Sequence, residues 1–209
     1  AGLRLASVEV ELDPLDLVRA GAGAFGAAAY LSTPDGTILG GLGTAWTASA
    51  AGRGRFGRLD AALCASLPAG TEVFLGFSFA SDEPSSPEWR GFPAAAAFLP
   101  QIAAVRRAGR TRLTLAVPPG AQSAAALAAA ATLRPPAPAE APAAVARRAV
   151  PPVAEWRGKV AATVAETARG GPAKVVLARA LQVALDRPAD PFDLVALLRE
   201  RFPAAYVYG

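Results

Sequence analysis

Apolar residues enter this chain in short runs whose spacing alternates between every second residue and every third or fourth. Val8, Val10 and Leu12 alternate with Glu9 and Glu11, which predicts a half-buried strand over 5–12. Asp13-Pro14 supplies a capping carboxylate and a first-turn proline for a short helix over 15–20. Residues 25–31 and 37–42 read as a hairpin around Thr33-Pro34-Asp35-Gly36. The glycines of Gly40-Gly41-Leu42-Gly43 could suggest a phosphate loop, but Thr44 to Thr47 continues as strand. No helix N-terminus is there to hold an anion, so close strand packing or a bulge is the reading. A helix over 55–67 gathers Phe56, Leu59, Leu63 and Leu67 on one side. A strand over 73–79, a polar loop over 81–88 and a second hairpin, 96–105 with 113–117 turning at 106–110, complete the first half.

An alanine-rich helix over 121–133 leads to residues 134–152, where Pro135, Pro136, Pro138, Pro142, Pro151 and Pro152 stand among alanines. Such composition predicts a partly extended surface connection and marks the one plausible boundary. Val153, Trp156, Val160, Val164 and Ala168 then recur on one face of a helix that Gly170-Gly171-Pro172 stops. Lys174 to Val183 is β-branched and almost continuously apolar, the pattern of a strand buried on both faces. Asp190-Pro191 starts a last helix with Leu194, Leu197 and Leu198 as its buried stripe; Pro203 ends it before a strand over 204–208. Together these elements predict a mixed α/β fold with largely antiparallel sheets.

Composition narrows the chemistry. The 209 residues suffice for a sizeable core, and apolar residues make up 53%, yet many are alanine and no run is long enough to span a membrane. Histidine is absent, which removes the commonest general base and metal ligand. The net charge of +4 comes mainly from dispersed arginines. Arg53, Arg55 and Arg58 make only a small cluster, where a nucleic-acid site would need a wider patch with interleaved aromatics or a known module, and they read as a solvated face. Cys64 is the single cysteine and reads as a small packed side chain; with no signal peptide at the start, a reducing, cytoplasmic location is expected. Asp82, Glu83 and Glu88 could bind a metal in principle, but their Ser/Pro-rich setting favours a solvated loop. No methionine opens the sequence and a strand-like segment closes it, so both ends read as cut.

Only two lysines occur, Lys159 and Lys174. The segment from Trp156 through Lys174-Val175-Val176-Leu177-Ala178-Arg179 to Pro191-Phe192, Leu197-Leu198-Arg199 and Pro203 to Tyr208 resembles the chorismate-utilising enzymes, and among them isochorismate synthase. Gly76-Phe77-Ser78-Phe79, Trp89, Gly91-Phe92-Pro93 and Leu99-Pro100, in that order, are similar to the N-terminal half of the same enzymes. The resemblance implies that Lys174 is the general base that activates water. Relatives that deliver ammonia usually carry glutamine at this position. It also implies part of a layered sheet–helix–helix–sheet fold, with residues 1–209 as a single incomplete domain and 134–152 as a long loop within it.

The expected activity is conversion of chorismate to isochorismate, for menaquinone or siderophore synthesis, assisted by Mg2+. The metal ligands, the general-acid glutamate and most substrate-binding groups would lie in a C-terminal half beyond residue 209, so this chain by itself is expected to be inactive. Salicylate synthase is the near alternative; a non-catalytic binding domain of the same fold is the alternative from another class. A lysine in water, with a pKa near ~10.4, is a poor base at neutral pH. Burial or a neighbouring cation would favour the neutral amine, which could take a proton from the attacking water. A lysine at a strand edge that merely keeps the edge solvated is the bland reading of the same residue. Arg179 reads as a structural ion-pair partner and Lys159 as solvated.

Overall fold

The computed structural model describes residues 3–82, 86–117, 128–135 and 140–209. Contacts divide the chain into two compact units, one of Ala1–Ala137 with Pro191–Gly209 and one of Pro138–Asp190.

The first unit holds a six-stranded sheet in the order β1 (Arg4–Val10), β8 (Arg110–Val117), β7 (Ile102–Arg107), β3 (Ile38–Leu42), β2 (Ala28–Ser32), β11 (Val207–Tyr208). Every pairing in it is antiparallel. Helix α1 (Pro14–Phe25) covers this sheet and is longer than the sequence predicts. Asp13 caps it as expected, its carboxylate accepting from the Leu15 N–H at 2.8 Å, and Gly26 closes it in the left-handed conformation. Leu17, Leu42, Leu113, Leu115 and Val117 form one apolar cluster of this unit. Leu15, Val18 and Tyr30 form another with Phe192 and Val195 of α4 (Pro191–Arg201) and with Val207. The buried side of α4 is thus Phe192 and Val195; the expected stripe of Leu194, Leu197 and Leu198 is exposed.

Gly40 and Gly41 serve the packing role read from the sequence. A Cβ on Gly40 would lie 2.2 Å from the Pro14 carbonyl oxygen, and one on Gly41 2.5 Å from Pro100 Cγ. The Thr33–Gly36 turn forms, with Gly36 at a φ of 83°. The predicted strand over 96–105 is two strands: β6 (Ala95–Leu99) belongs to a three-stranded sheet and β7 to the six-stranded one. The break falls at Pro100, which has no N–H for a ladder. β7 and β8 join through Ala108 and Gly109, both at positive φ, so the hairpin turn is tighter than the 106–110 expected.

The three-stranded sheet runs β4 (Trp46–Ala50), β6, β5 (Phe74–Phe77) and packs α2 (Arg55–Ser66) through Leu59 and Leu63. Phe56 of α2 is exposed instead and meets Phe77 edge-on at 5.2 Å. Cys64, read as packed, is exposed, because it sits past Leu63 on the outer side of the helix. A helical stretch at 128–131 places the buried Ala130 in the first core cluster; the rest of the alanine-rich helix expected over 121–133 lies largely outside the described residues.

The second unit consists of β9 (Ala144–Val150), α3 (Val153–Ala168) and β10 (Ala180–Leu185), the two strands pairing antiparallel. β9 lies inside the proline- and alanine-rich stretch expected to be a connection. Its sequence is Ala-Val-Ala-Arg-Arg-Ala-Val, and it becomes a strand only through its distant partner β10. The strand predicted from Lys174 begins only at Ala180. Ala180 faces Val150, and Pro151 and Pro152, which follow Val150, have no N–H to extend the ladder. The expectation that this strand is buried on both faces also fails: every residue of β10 is exposed, and α3 buries none of its side chains.

Candidate active site

The stop signal at the end of α3 is a complete C-terminal cap. Gly170 takes φ 88°, its N–H donates to the Thr167 carbonyl at 3.2 Å, and the Gly171 N–H donates to the Glu166 carbonyl at 3.1 Å. This paired pattern satisfies carbonyls that the helix end would leave open. A Cβ at Gly171 would approach the Glu166 carbonyl oxygen to 2.8 Å, so the chain turns here in a space only glycine fits. Pro172 and Ala173 then lead to Lys174.

Lys174 stands on a segment, 174–179, that belongs to no strand among the described residues. It is exposed, and among the described residues it has neither a hydrogen bond nor an ion pair. Val175, Val176 and Leu177 beside it are exposed as well, Val176 to 80%, so the described residues do not supply the apolar cover expected around the lysine. What the segment presents is a primary amine, free of structural partners, at the end of a capped helix.

Arg179 closes the segment. It was expected to form an ion pair; its guanidinium instead lies over the Trp156 ring, 6.0 Å from the centroid. With Val153, Arg157, Val160 and Ala161 these two side chains line an open groove of about 490 Å³ along α3. The sequence offered a sign of it, an aromatic between valines on one helix face, but the stripe reads equally well as ordinary core. Lys159 is exposed, as expected, and pairs on the surface with Glu155 one turn before it at 2.8 Å.

Among the described residues the other candidates do not assemble into a site. Asp82 is exposed, while Glu83 and the side chain of Glu88 lie outside the described residues. Among the described residues no group of three or more acidic or cysteine side chains could hold a metal ion. Of the arginine cluster, Arg55 is buried rather than solvated, donating to the Ser78 carbonyl at 3.0 Å and covering the Phe56 ring at 4.5 Å. Arg58 donates to the Arg53 carbonyl at 3.1 Å. Both donate to backbone carbonyls of the chain's own loops. No helix among the described residues is long and apolar enough to cross a membrane.

Trp89 and Phe92, from the N-terminal pair of resembling motifs, meet edge-on at 5.7 Å, and Ser78 between Phe77 and Phe79 donates its N–H to the Ala94 carbonyl at 2.9 Å. These contacts lie beside β5 in the first unit.

Comparison with known proteins agrees with both resembling regions. No curated protein matches this sequence. In fold the chain is similar to MenF, the menaquinone-specific isochorismate synthase from Escherichia coli, with a TM-score of 0.61 at 18% identity over 95% of this chain. It spans 45% of that protein's chain. The family model for chorismate binding enzymes matches residues 3–209, the whole of the sequence but its first two residues, and the chain therefore belongs to the chorismate-binding enzymes.

Proposed function

We propose that the protein containing this chain is an isochorismate synthase and that Lys174 is its general base. The observation that carries the reading is the place of Lys174. Within a chain that belongs to the chorismate-binding enzymes, it is exposed, free of structural partners and set directly after the capped end of α3. A lysine serving only to tie the fold together would be engaged, as Lys159 is with Glu155.

In the proposed reaction the neutral amine of Lys174 takes a proton from water as the water oxygen bonds to the chorismate ring. The ring double bonds shift, and the ring hydroxyl departs with a proton from an acid on the opposite side. One oxygen enters from solvent and one leaves, so chorismate and isochorismate are isomers. Lysine rather than glutamine at this position favours water over ammonia as the nucleophile. Magnesium belongs to the proposal as a requirement of the whole enzyme, with ligands outside the described residues. Menaquinone synthesis is the pathway favoured by the likeness to MenF.

The test is to run the full-length protein with chorismate and magnesium in ¹⁸O-labelled water and to analyse the products by mass spectrometry. Isochorismate carrying one ¹⁸O is the expected result. Salicylate with pyruvate would assign the salicylate synthase alternative, and unchanged chorismate would favour a binding domain without chemistry.

A further inference from the structure

Lys174 follows α3 so closely that the direction in which the chain leaves the helix bears on where its amine can stand. Gly170 takes a φ of 88°, the left-handed conformation that L side chains disfavour. With that conformation go the two bonds of the cap, from the Gly170 N–H to the Thr167 carbonyl at 3.2 Å and from the Gly171 N–H to the Glu166 carbonyl at 3.1 Å. No described atom lies within 4 Å of where a Gly170 Cβ would stand, so glycine is required here by backbone conformation and not by lack of room. Gly171-Pro172-Ala173 then joins the cap to Lys174, and the ring of Pro172 fixes one more φ on the way. After the lysine, the backbone pairing of Ala180 with Val150 holds the chain. Lys174 stands four positions past the capping glycine and six before that pairing.

We propose that Gly170 is a positioning residue: its left-handed cap fixes the exit of the chain from α3 and thereby sets where the Lys174 amine stands. The inference rests on the reading of Lys174 as the base. An L residue at this position relieves its strain by leaving the left-handed region, so that the helix runs on or its last turn opens. In either case the two donors lose Thr167 and Glu166, and Gly171-Pro172-Ala173 sets out in another direction. The capped state is then less populated, and only molecules that keep it hold the amine in reach of the attacking water. A base displaced by about 1 Å loses on the order of a hundredfold in rate, so a backbone turn remote from the reacting atoms still acts on turnover. Asparagine enters the left-handed region more readily than other side chains, which makes the choice of residue here a graded test.

The experiment compares Gly170→Asn, Gly170→Ala and Gly170→Val in the full-length protein with chorismate and magnesium, at equal folded concentration. Gly26 supplies the control. It closes α1 at a φ of 69°, again with nothing within 4 Å of a Cβ, so Gly26→Ala carries the same kind of backbone strain in the first unit. Gly170→Ala should lower kcat by about threefold to thirtyfold with KM little changed, Gly170→Val by more, and Gly170→Asn by less than about twofold. Gly26→Ala should lower Tm about as much as Gly170→Ala does and leave kcat unchanged. In a Lys174→Ala background, Gly170→Ala should cause no further loss, because the cap acts only through the amine. If Gly170→Val does not fold, the alanine and asparagine variants decide. Unchanged kcat in Gly170→Ala, equal losses of kcat in Gly170→Ala and Gly26→Ala, or a further loss in the Lys174→Ala background overturns the inference. Where Lys174→Ala itself abolishes turnover, such a result leaves the base in place. Turnover that survives Lys174→Ala removes the base, and this inference with it.

Discussion

Asp13 does three things at once. It caps α1 through Leu15, and its carboxylate receives Arg106 at 3.2 Å and Arg199 at 3.0 Å, side chains from β7 and α4. Arg199 also reaches the Tyr30 hydroxyl at 3.3 Å. Burial alone would make the Arg199 guanidinium easier to deprotonate; the hydrogen bonds to Asp13 and Tyr30 outweigh that and hold its proton more tightly than usual. Asp13→Ala removes the cap and leaves two half-buried guanidiniums facing each other, which should cost about 2–3 kcal/mol, read as a lowered urea midpoint. Asp35 acts on a smaller scale. The Thr33 hydroxyl and then the Thr37 N–H donate to it and lower its pKa below the ordinary aspartate value. A carboxylate stabilised in the folded turn contributes at neutral pH and loses that contribution only as pH falls below the ordinary aspartate range. An NMR titration should therefore place the Asp35 midpoint below that of a free aspartate, and Thr33→Ala should return it toward the free value. Residues of this kind were legible in the sequence because their chemistry is local. Asp13-Pro14, Thr33 to Gly36 and Gly170-Gly171-Pro172 each carry the groups that make the cap or turn within a few positions of one another. Arg179 was not legible, since the Trp156 that receives it lies on another element.

At the scale of elements, periodicity located the helices well and their buried faces poorly. The α4 leucines look like a core stripe, yet the unit closes on Phe192 and Val195, because the neighbouring Leu15, Val18 and Tyr30 meet that side. β9 was invisible for the same reason: its alanines and arginines favour no strand until β10 lies beside them. Where two elements come very close, the sequence did signal it, through glycine. Gly40 in β3 lies so near α1 that any side chain must push the Pro14 carbonyl aside. Gly40→Ala should destabilise by about 2–3 kcal/mol with the fold retained, measured by chemical denaturation. A neutral Gly40→Ala would mean that β3 and α1 are farther apart than described here.

At the scale of the molecule, the described residues of the first unit have a buried core and those of the second do not. Val153, Val160 and Val164 on α3 and Leu181, Val183 and Leu185 on β10 are all exposed, so the stretch that carries Lys174 is apolar and uncovered. A core of that composition closes only against further apolar surface. The chain spans 45% of the MenF chain, and the activity proposed above is that of the whole protein. Family membership and the two resembling regions were readable from residues; the exposure of Lys174 was not, because burial depends on everything packed around it. The measurement that bears most directly on the account is chorismate turnover with magnesium by the full-length protein and by its Lys174→Ala variant at equal folded concentration. The account predicts isochorismate from the first and a loss of at least about a hundredfold in kcat from the second. Turnover that survives Lys174→Ala would contradict the assignment of the base.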